Sequence, residues 1–275
     1  MNDVILREYT AQDIPALSAL WRRAFDDTPG FIEGFFEALP TIGLGVAAEL
    51  DGEIVGAAYA ITGLALVAPG EGEARPIAYI YGVATDAPWR SQGIGARLVN
   101  EAAARARARG ARVICTLPAE DGLYDWYARV AGLSMRLRRA ERYMPCPAPG
   151  ARPPAGQISA GEYLARRAAL LAGRAHVRLS PAAMEFQARL LREYGGGLFA
   201  LASGGIAAAY LDGGRALIRE LICPDAASAD EEAARVCAAI GAEGAVIYSA
   251  APEGAAYITA DAPLPADLVW NLSFD

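Results

Sequence analysis

Residues 80–96 read IYGVATDAPWRSQGIGA. The apolar run that ends at Thr85 is typical of a strand, a Gly-containing loop follows it, and a helix pattern begins near Gly95. Such a connection brings free backbone N–H groups and the positive end of a helix to one point, a geometry that binds a pyrophosphate. Gly93 and Gly95 let the backbone approach an anion, and Arg90 adds a charged contact. An ordinary turn between strand and helix also accounts for this spacing.

Two familiar phosphate motifs do not fit this loop. The dinucleotide fingerprint needs a third Gly and a tight turn directly after the strand, whereas Gly93 and Gly95 lie several residues beyond it. The P-loop needs a Lys, and all 25 basic residues of this chain are Arg. The lack of lysine also excludes Schiff-base chemistry and pyridoxal-phosphate attachment.

Composition limits the remaining function classes. A length of 275 residues with 54% hydrophobic positions is enough for two domains with real cores. The net charge of −7 argues against a nucleic-acid partner and favours a cationic small molecule. One histidine, His176, and four scattered cysteines predict neither a metal centre nor a disulfide framework. The longest apolar run has 15 residues, fewer than the ~20 of a membrane helix, so we expect no membrane partner and a cytoplasmic location.

The order of elements predicts two related domains. The patterns predict two helices, a hairpin around Asp51-Gly52, a strand, the loop, a helix and a further strand. The second half of the chain repeats this order of elements. Five prolines between positions 145 and 154 then exclude regular structure. We therefore expect an α/β fold over residues 1–146, with a mixed central sheet flanked by helices. A Pro-rich linker at 147–157 should lead to a degenerate domain of the same kind at 158–275, which lacks the Arg and the Gly pair of the loop.

Arg90, Gly93 and Gly95 resemble the acetyl-coenzyme A loop of the Gcn5-related N-acetyltransferases (GNAT), whose pattern is R/Q-x-x-G-x-G/A after a strand. Residues 123–133, LYDWYARVAGL, are similar to the family's L-x-x-F-Y-x-x-x-G-F segment. A complete first domain with a motif-poor second one looks like the two-domain enhanced-intracellular-survival aminoglycoside acetyltransferases. The chain lacks room for their sterol-carrier-like domain, a difference that leaves the aminoglycoside substrate open.

The resemblance implies acetyl-coenzyme A as cosubstrate and assigns residues to its site. The binding residues it implies are Val83, Ala84, Thr85, Arg90, Ser91, Gln92, Gly93, Ile94, Gly95 and Ala96. Tyr127 matches the tyrosine that protonates the departing thiolate in many members, although an aromatic pair on a short helix also suits a core. The strand before the loop lacks the Glu that some members use as a base. In the two-domain relatives the terminal carboxylate reaches the active site, so Asp275 is our candidate base, and a tail packed only for stability is the alternative.

We therefore expect an N-acetyltransferase that moves acetyl to a primary amine of a small, cationic acceptor. The amine would attack directly in a ternary complex, and the oligomeric state, including a homo-oligomer, is open. Two other functions fit the same residues. One is a non-catalytic acyl-coenzyme A-binding regulatory module, and the other is an acyltransferase that uses a longer acyl donor.

Overall fold

The computed structural model describes residues 3–146, 154–251, 253–270, 272 and 274. The chain forms two compact units. Unit 1 comprises Met1–Leu66, Ala74–Arg136 and Tyr257–Leu264, and unit 2 comprises Val67–Glu73, Leu137–Ala256 and Pro265–Asp275. Most of the expected linker, residues 147–153, lies outside the described residues, so the domain bounds 1–146 and 158–275 stay predictions.

Strands account for much of both units. In chain order they are β1 (Ile5–Glu8), β2 (Gly43–Leu50), β3 (Glu53–Val67), β4 (Arg75–Thr85), β5 (Val113–Thr116), β6 (Met135–Pro145), β7 (Gly156–Gln157), β8 (His176–Leu179), β9 (Gly197–Ala200), β10 (Ile206–Asp212), β11 (Arg215–Ile222), β12 (Gly244–Ala250) and β13 (Ala255–Ala260). The longest, β3, covers most of the 15-residue apolar run noted in the sequence.

The α-helices lie between these strands. They are α1 (Ile14–Ala24), α2 (Pro29–Ile42), α3 (Ile94–Ala108), α4 (Asp121–Ala131), α5 (Ala160–Leu170), α6 (Pro181–Glu193) and α7 (Ala229–Ile240). A capping box precedes α1, since the Thr10 amide donates to the Asp13 carboxylate. Within the described residues, no helix has the length and apolar content needed to cross a membrane.

Unit 1 has the strand order β1-β2-β3-β4-β5-β13, in which only the β4–β5 pair is parallel. The predicted hairpin joins β2 and β3, and its turn residues Asp51 and Gly52 have left-handed φ values of 52° and 84°. One face of the sheet packs against α3 through Leu98, Val99 and Ala102, which are buried. The expected mixed sheet flanked by helices is therefore confirmed.

Unit 2 repeats this plan with the order β6-β12-β11-β10-β9-β7, and its one parallel pair among the described strands is β11–β12. Two helices, the β9–β10 hairpin, β11, α7 and β12 follow one another as α1, α2, the β2–β3 hairpin, β4, α3 and β5 do in unit 1. Ile218 and Ile247 are buried with Val236 of α7 in one apolar cluster. The expected second GNAT-like layer fold is thus present.

The cysteines depart from expectation. Cys146 and Cys237 form a disulfide between the end of β6 and α7, although their spacing suggested no such bond. The two cysteines are separated by 91 positions in sequence but lie close together in space, since the Cys146 amide also donates to the carbonyl of Glu243, just after α7. Cys115 and Cys223 are free.

A buried ion pair lies in unit 2. Arg167 of α5 makes two hydrogen bonds of 2.8 and 3.0 Å to the Glu220 carboxylate of β11, and its third contact is to the Val177 carbonyl. The Tyr163 hydroxyl donates to the same carboxylate at 2.9 Å. The side chains of Arg167 and Glu220 are 3% and 0% exposed, so each charge depends on the other.

We expect Glu220→Gln to lower the free energy of unfolding by about 3–5 kcal/mol, because it leaves the buried Arg167 charge uncompensated. The matched control is Glu162→Gln. Glu162 pairs with the neighbouring Arg166 on the exposed face of α5, and its loss should cost less than about 1 kcal/mol. Denaturant unfolding measures both. If Glu220→Gln and Glu162→Gln lowered the free energy of unfolding equally, the stability of unit 2 would not depend on the buried ion pair.

Candidate active site

The parallel strands β4 and β5 separate toward their carboxyl ends. Their register ends with Tyr79 opposite Cys115, whereas β4 continues to Thr85. The pairing of β4 with β3 also shifts, because Ala57 lies opposite Ala84 but Tyr59 lies opposite Tyr81. β4 therefore carries one extra residue, a β-bulge, in the segment that has left β5.

Gly82 lies in this bulge. Its φ is +55°, and an added Cβ would lie 3.0 Å from side-chain atoms of both Trp21 and Tyr59. A larger residue would be strained and crowded, so glycine is required here. Trp21 is the centre of an aromatic cluster with ring-centroid distances of 4.7–6.2 Å to Phe25, Phe31, Phe35, Phe36, Tyr59 and Tyr81. The Trp21 indole donates to Asp27 at 2.8 Å.

The loop after β4 is held by its own side chains. Asp86 accepts from the Ala87 amide at 3.0 Å and pairs with Arg23 at 2.9 Å, and this partner lowers the pKa of Asp86. The Arg90 Nε group donates to the Thr85 carbonyl at 3.0 Å. Arg90 thus uses one of its five N–H groups to brace the loop, and its side chain is exposed. Ser91 has a left-handed φ of 62°.

The loop ends at the amino terminus of α3. Gly93 is the N-cap, with a φ of 80°, and its carbonyl accepts the hydrogen bond from the Arg97 amide. The amides of residues 94–96 precede that bond and have no acceptor within the helix. A Cβ at Gly93 would meet nothing within 4 Å, so this glycine leaves open space above the helix end. Gly95 lies near Thr85 and Trp126, since a Cβ there would be 3.6 and 3.7 Å from their side chains.

Tyr127 lies deeper, on α4. It is 6% exposed, and burial raises its pKa to about 12. The Thr116 side chain at the end of β5 opposes part of this rise in pKa, and the Tyr127 ring packs edge-on against that of Trp126, with the ring centroids 4.8 Å apart. A second tyrosine of α4, Tyr124, donates to the Tyr257 carbonyl at 3.1 Å. The raised pKa keeps the Tyr127 phenol protonated at neutral pH.

The structure brings many of the expected residues together. Thr85, Arg90 and Gly95 surround the loop, and Trp126 of the second motif reaches the same helix end. Val83 and Ala84 occupy the end of β4, and Ser91, Gln92, Ile94 and Ala96 follow in the loop and the first turn of α3. Asp275 lies outside the described residues.

The Thr116 hydroxyl donates to the Ile80 carbonyl at 2.8 Å where β4 and β5 separate, and sequence analysis did not single this residue out. Its one signal was its place as the first polar residue after the buried run Val113, Ile114 and Cys115, at the carboxyl end of a strand in a parallel pair. Among the described residues, no group of three His, Cys, Asp or Glu side chains could hold a metal ion.

This arrangement defines a class of protein. Because β4 and β5 separate before a glycine loop, the end of β4 has no parallel neighbour and the first amides of α3 have no acceptor within the helix, a combination that suits an extended, phosphate-bearing substrate. The buried phenol of Tyr127 on α4 adds a group that can donate a proton. Unit 1 has the architecture of an acyltransferase that uses an acyl-coenzyme A.

Comparison with known proteins agrees. Residues 7–133 match the model of the Acetyltransferase (GNAT) family. Similar solved structures include a protein of unknown function from Enterococcus faecalis V583, a probable N-acyltransferase (TM-score 0.69, 14% identity, covering 94% of this chain and 72% of that one). A second is a GCN5-related N-acetyltransferase from Kribbella flavida (TM-score 0.68, 19% identity, covering 94% of this chain and 71% of that one). A third is Eis1 from Mycobacterium abscessus (TM-score 0.60, 16% identity, covering 89% of this chain and 65% of that one). No curated protein is similar in sequence.

Residues 7–133 therefore form a domain of the GNAT family, as the sequence motifs predicted, and the similar solved structures share the fold of most of the chain. Acetyl-coenzyme A is the cosubstrate of this family. The residues present suit it, because Gly93 leaves open space at the start of α3 and Arg90, an exposed cation of the same loop, uses only its Nε group on the Thr85 carbonyl among the described contacts.

We expect Gly93→Ala to weaken acetyl-coenzyme A binding by about tenfold or more, because the new methyl group blocks approach to charge-assisted amide contacts. Gly110 is a matched control just beyond the other end of α3. It too has a positive φ, 99°, and open space around its Cβ position. Because both glycines have a positive φ, each alanine substitution should lower the free energy of unfolding by about 1–2 kcal/mol. Only Gly93→Ala should change the affinity for acetyl-coenzyme A in calorimetry. Equal affinities for the two variants would remove Gly93 from the site.

Proposed function

We propose that this protein transfers the acetyl group of acetyl-coenzyme A to a primary amine of a small, cationic acceptor. The observation that carries the proposal is the end of α3, where Gly93 leaves space beside the amides of residues 94–96. Those amides and Arg90 would hold the pyrophosphate, and the end of β4 at Val83, Ala84 and Thr85 would hydrogen-bond the pantetheine.

The β-bulge of β4 at Gly82 supports a binding place for the thioester in the adjoining strand segment. β4 leaves β5 after Tyr79, so amide groups of the following segment are available to a substrate instead of to a neighbouring strand. An amide that points at the thioester oxygen stabilises the oxyanion that forms as the amine attacks. Direct attack in a ternary complex is consistent with an open strand edge and needs no nucleophilic residue of the protein.

The aromatic cluster supports a cationic acceptor. It lies against Gly82 through Trp21 and Tyr59, next to the strand segment proposed for the thioester. Trp21 and Tyr59 are buried, whereas Phe25 and Tyr81 of the same cluster are partly exposed and can offer their faces to an ammonium group, and the partly exposed Asp27 adds a carboxylate beside the Trp21 indole. The net charge of −7 favours the same class of acceptor.

The test combines binding and turnover. Calorimetry with acetyl-coenzyme A should give one site per chain, because the Arg90-Gly93-Gly95 pattern occurs in unit 1 and is missing at the corresponding residues 224–228. Release of free thiol is then screened against polyamines, aminoglycosides, amino acids and peptide N-termini. Binding without release with any amine would favour a regulatory acyl-coenzyme A-binding module. Faster release from longer acyl donors would favour a different acyltransferase.

Tyr127 is the proposed general acid for the departing thiolate. We expect Tyr127→Phe to keep acetyl-coenzyme A affinity and to lose turnover by roughly 10²–10⁴-fold. Because burial raises the pKa of Tyr127 to about 12, its ionisation should not reduce turnover below about pH 10. Tyr124→Phe is the comparison, since it removes the other α4 phenol, which donates to the Tyr257 carbonyl. Loss of turnover in Tyr124→Phe alone would transfer the role to Tyr124.

Asp275 remains the proposed base, and its two carboxylates can be separated. Asp275→Asn removes the side-chain carboxylate and keeps the terminal one, whereas two added glycines displace the terminal carboxylate and keep the side chain. We expect one of these changes to reduce turnover with unchanged acetyl-coenzyme A affinity. Deleting more of the tail is less informative, because Phe274 is buried and stacks on Phe186 at 5.8 Å. Full activity in both variants would mean that the base lies elsewhere.

A further inference from the structure

Asp86 places a carboxylate next to the proposed pyrophosphate site. It is the first residue after β4, and its amide donates to the Val55 carbonyl of β3 at 2.9 Å. The preceding residue, Thr85, has its Oγ1 atom 3.6 Å from the position that a Cβ at Gly95 would take, in the first turn of α3. Consecutive Cα atoms are about 3.8 Å apart, so Asp86 begins about one residue from that turn. A negative charge this near the helix amides opposes the binding of a diphosphate.

Arg23, in the last turn of α1, pairs with this carboxylate through two hydrogen bonds. Its Nε group donates to one oxygen of Asp86 at 3.2 Å, and a terminal nitrogen donates to the other oxygen at 2.9 Å. The hydrogen bond from Arg23 is the main cause that lowers the pKa of Asp86, so the carboxylate is ionised at neutral pH. The two side chains are 51% and 27% exposed, and such a pair adds little to stability. Its larger consequence is for the charge of the loop.

The same carboxylate lies beside the arginine proposed for the pyrophosphate. Asp86 is the N-cap of the helical turn Ala87–Trp89, and its Oδ1 atom accepts from the Ala87 amide at 3.0 Å. The Arg90 Nε group donates to the carbonyl of Thr85, the neighbour of Asp86, at 3.0 Å. An Asp86 carboxylate without its own cation would therefore attract the Arg90 guanidinium and compete with a bound phosphate for it.

We propose that Arg23 is a positioning residue for acetyl-coenzyme A, which neutralises the Asp86 carboxylate and so leaves Arg90 and the amides of residues 94–96 available to the pyrophosphate. This role rests on the proposed function, in which those groups hold the pyrophosphate. Arg23 acts through Asp86 and does not itself bind the cofactor. Its loss should therefore weaken binding only while residue 86 carries a negative charge.

Arg23→Gln tests the role in calorimetry with acetyl-coenzyme A. We expect the affinity to fall by about three- to tenfold, the effect of one uncompensated charge near an exposed anion site. The difference should shrink at an ionic strength of about 1 M, where the Debye length is ~3 Å. Arg23→Lys keeps the charge and should keep most of the affinity. A loss in Arg23→Lys as large as in Arg23→Gln would overturn neutralisation as the cause.

Arg22→Gln is the matched control, because Arg22 is an exposed arginine of the same last turn of α1. This variant removes one positive charge from the same part of the surface and leaves the pair between Arg23 and Asp86 intact. We expect its affinity for acetyl-coenzyme A to stay close to that of the unchanged protein. A loss equal to that of Arg23→Gln would show that only the net charge matters, and would overturn the role.

A double-mutant cycle separates neutralisation from a direct contact with the cofactor. Asparagine at position 86 can still cap the turn but carries no charge, so Arg23→Gln should have little further effect on affinity in an Asp86→Asn background. An equal loss in both backgrounds would mean that Arg23 binds the cofactor itself, and would overturn the role. Dephospho-coenzyme A keeps the diphosphate and lacks the ribose 3′-phosphate. Arg23→Gln should weaken its binding as much as that of coenzyme A, and a loss confined to coenzyme A would also overturn the role.

Binding of acetyl-coenzyme A to the unchanged protein is measured first. No binding would overturn the site proposed at the start of α3, and the role of Arg23 with it. Equal affinities for the unchanged protein and Arg23→Gln would overturn the role of Arg23 alone. Failure of the proposed acetyl transfer has a different signature, which is binding without release of free thiol.

Discussion

The separation of β4 from β5 is the constraint on which the site in unit 1 depends. Parallel strands normally satisfy each other's backbone groups, so a strand that continues without its neighbour must find other partners. Thr116 provides one of them with its hydroxyl on the Ile80 carbonyl, and Arg90 provides another on the Thr85 carbonyl. Between these two contacts lies the bulged segment with Gly82, which is therefore held in place while its edge stays open to a substrate.

Unit 2 has a similar separation between its parallel strands, with different side chains around it. Its parallel pair also ends early, with Ile218 opposite Ile247, and β11 also carries an extra residue. The position that corresponds to Thr116 is Tyr248, whose ring centroid lies 5.1 Å from the Arg219 guanidinium and 4.1 Å from that of Arg139. Large side chains thus meet where β11 and β12 separate. The loop after β11 lacks the glycines that open the end of α3 in unit 1.

The predictable part of the fold is its local part. Helix periodicity, the Asp51-Gly52 turn and the loop glycines act over a few residues, and the hairpin and α3 formed as expected. The β6 and β13 strands were not predicted, because their partners lie far away in sequence: Thr259 pairs with Thr116, for example. The disulfide between Cys146 and Cys237 was not predicted, for the same reason. The composition gives the number of cysteines but does not show which of them are close enough to pair.

The same distinction separates the two halves of the candidate site. The ten loop and strand residues predicted for the cofactor lie on one continuous segment, because a helix terminus and the loop before it are adjacent in sequence, and Gly93 with its φ of 80° and open surroundings belongs to that segment. The surroundings of Tyr127 are assembled from several elements instead, since its apolar cluster includes Ile80 of β4, Leu98 of α3 and Ile114 of β5. A motif could point to the tyrosine, but the burial that raises its pKa depends on how these elements pack. That packing is a property of the folded sheet, so the environment of Tyr127 becomes clear only when the strands are placed side by side.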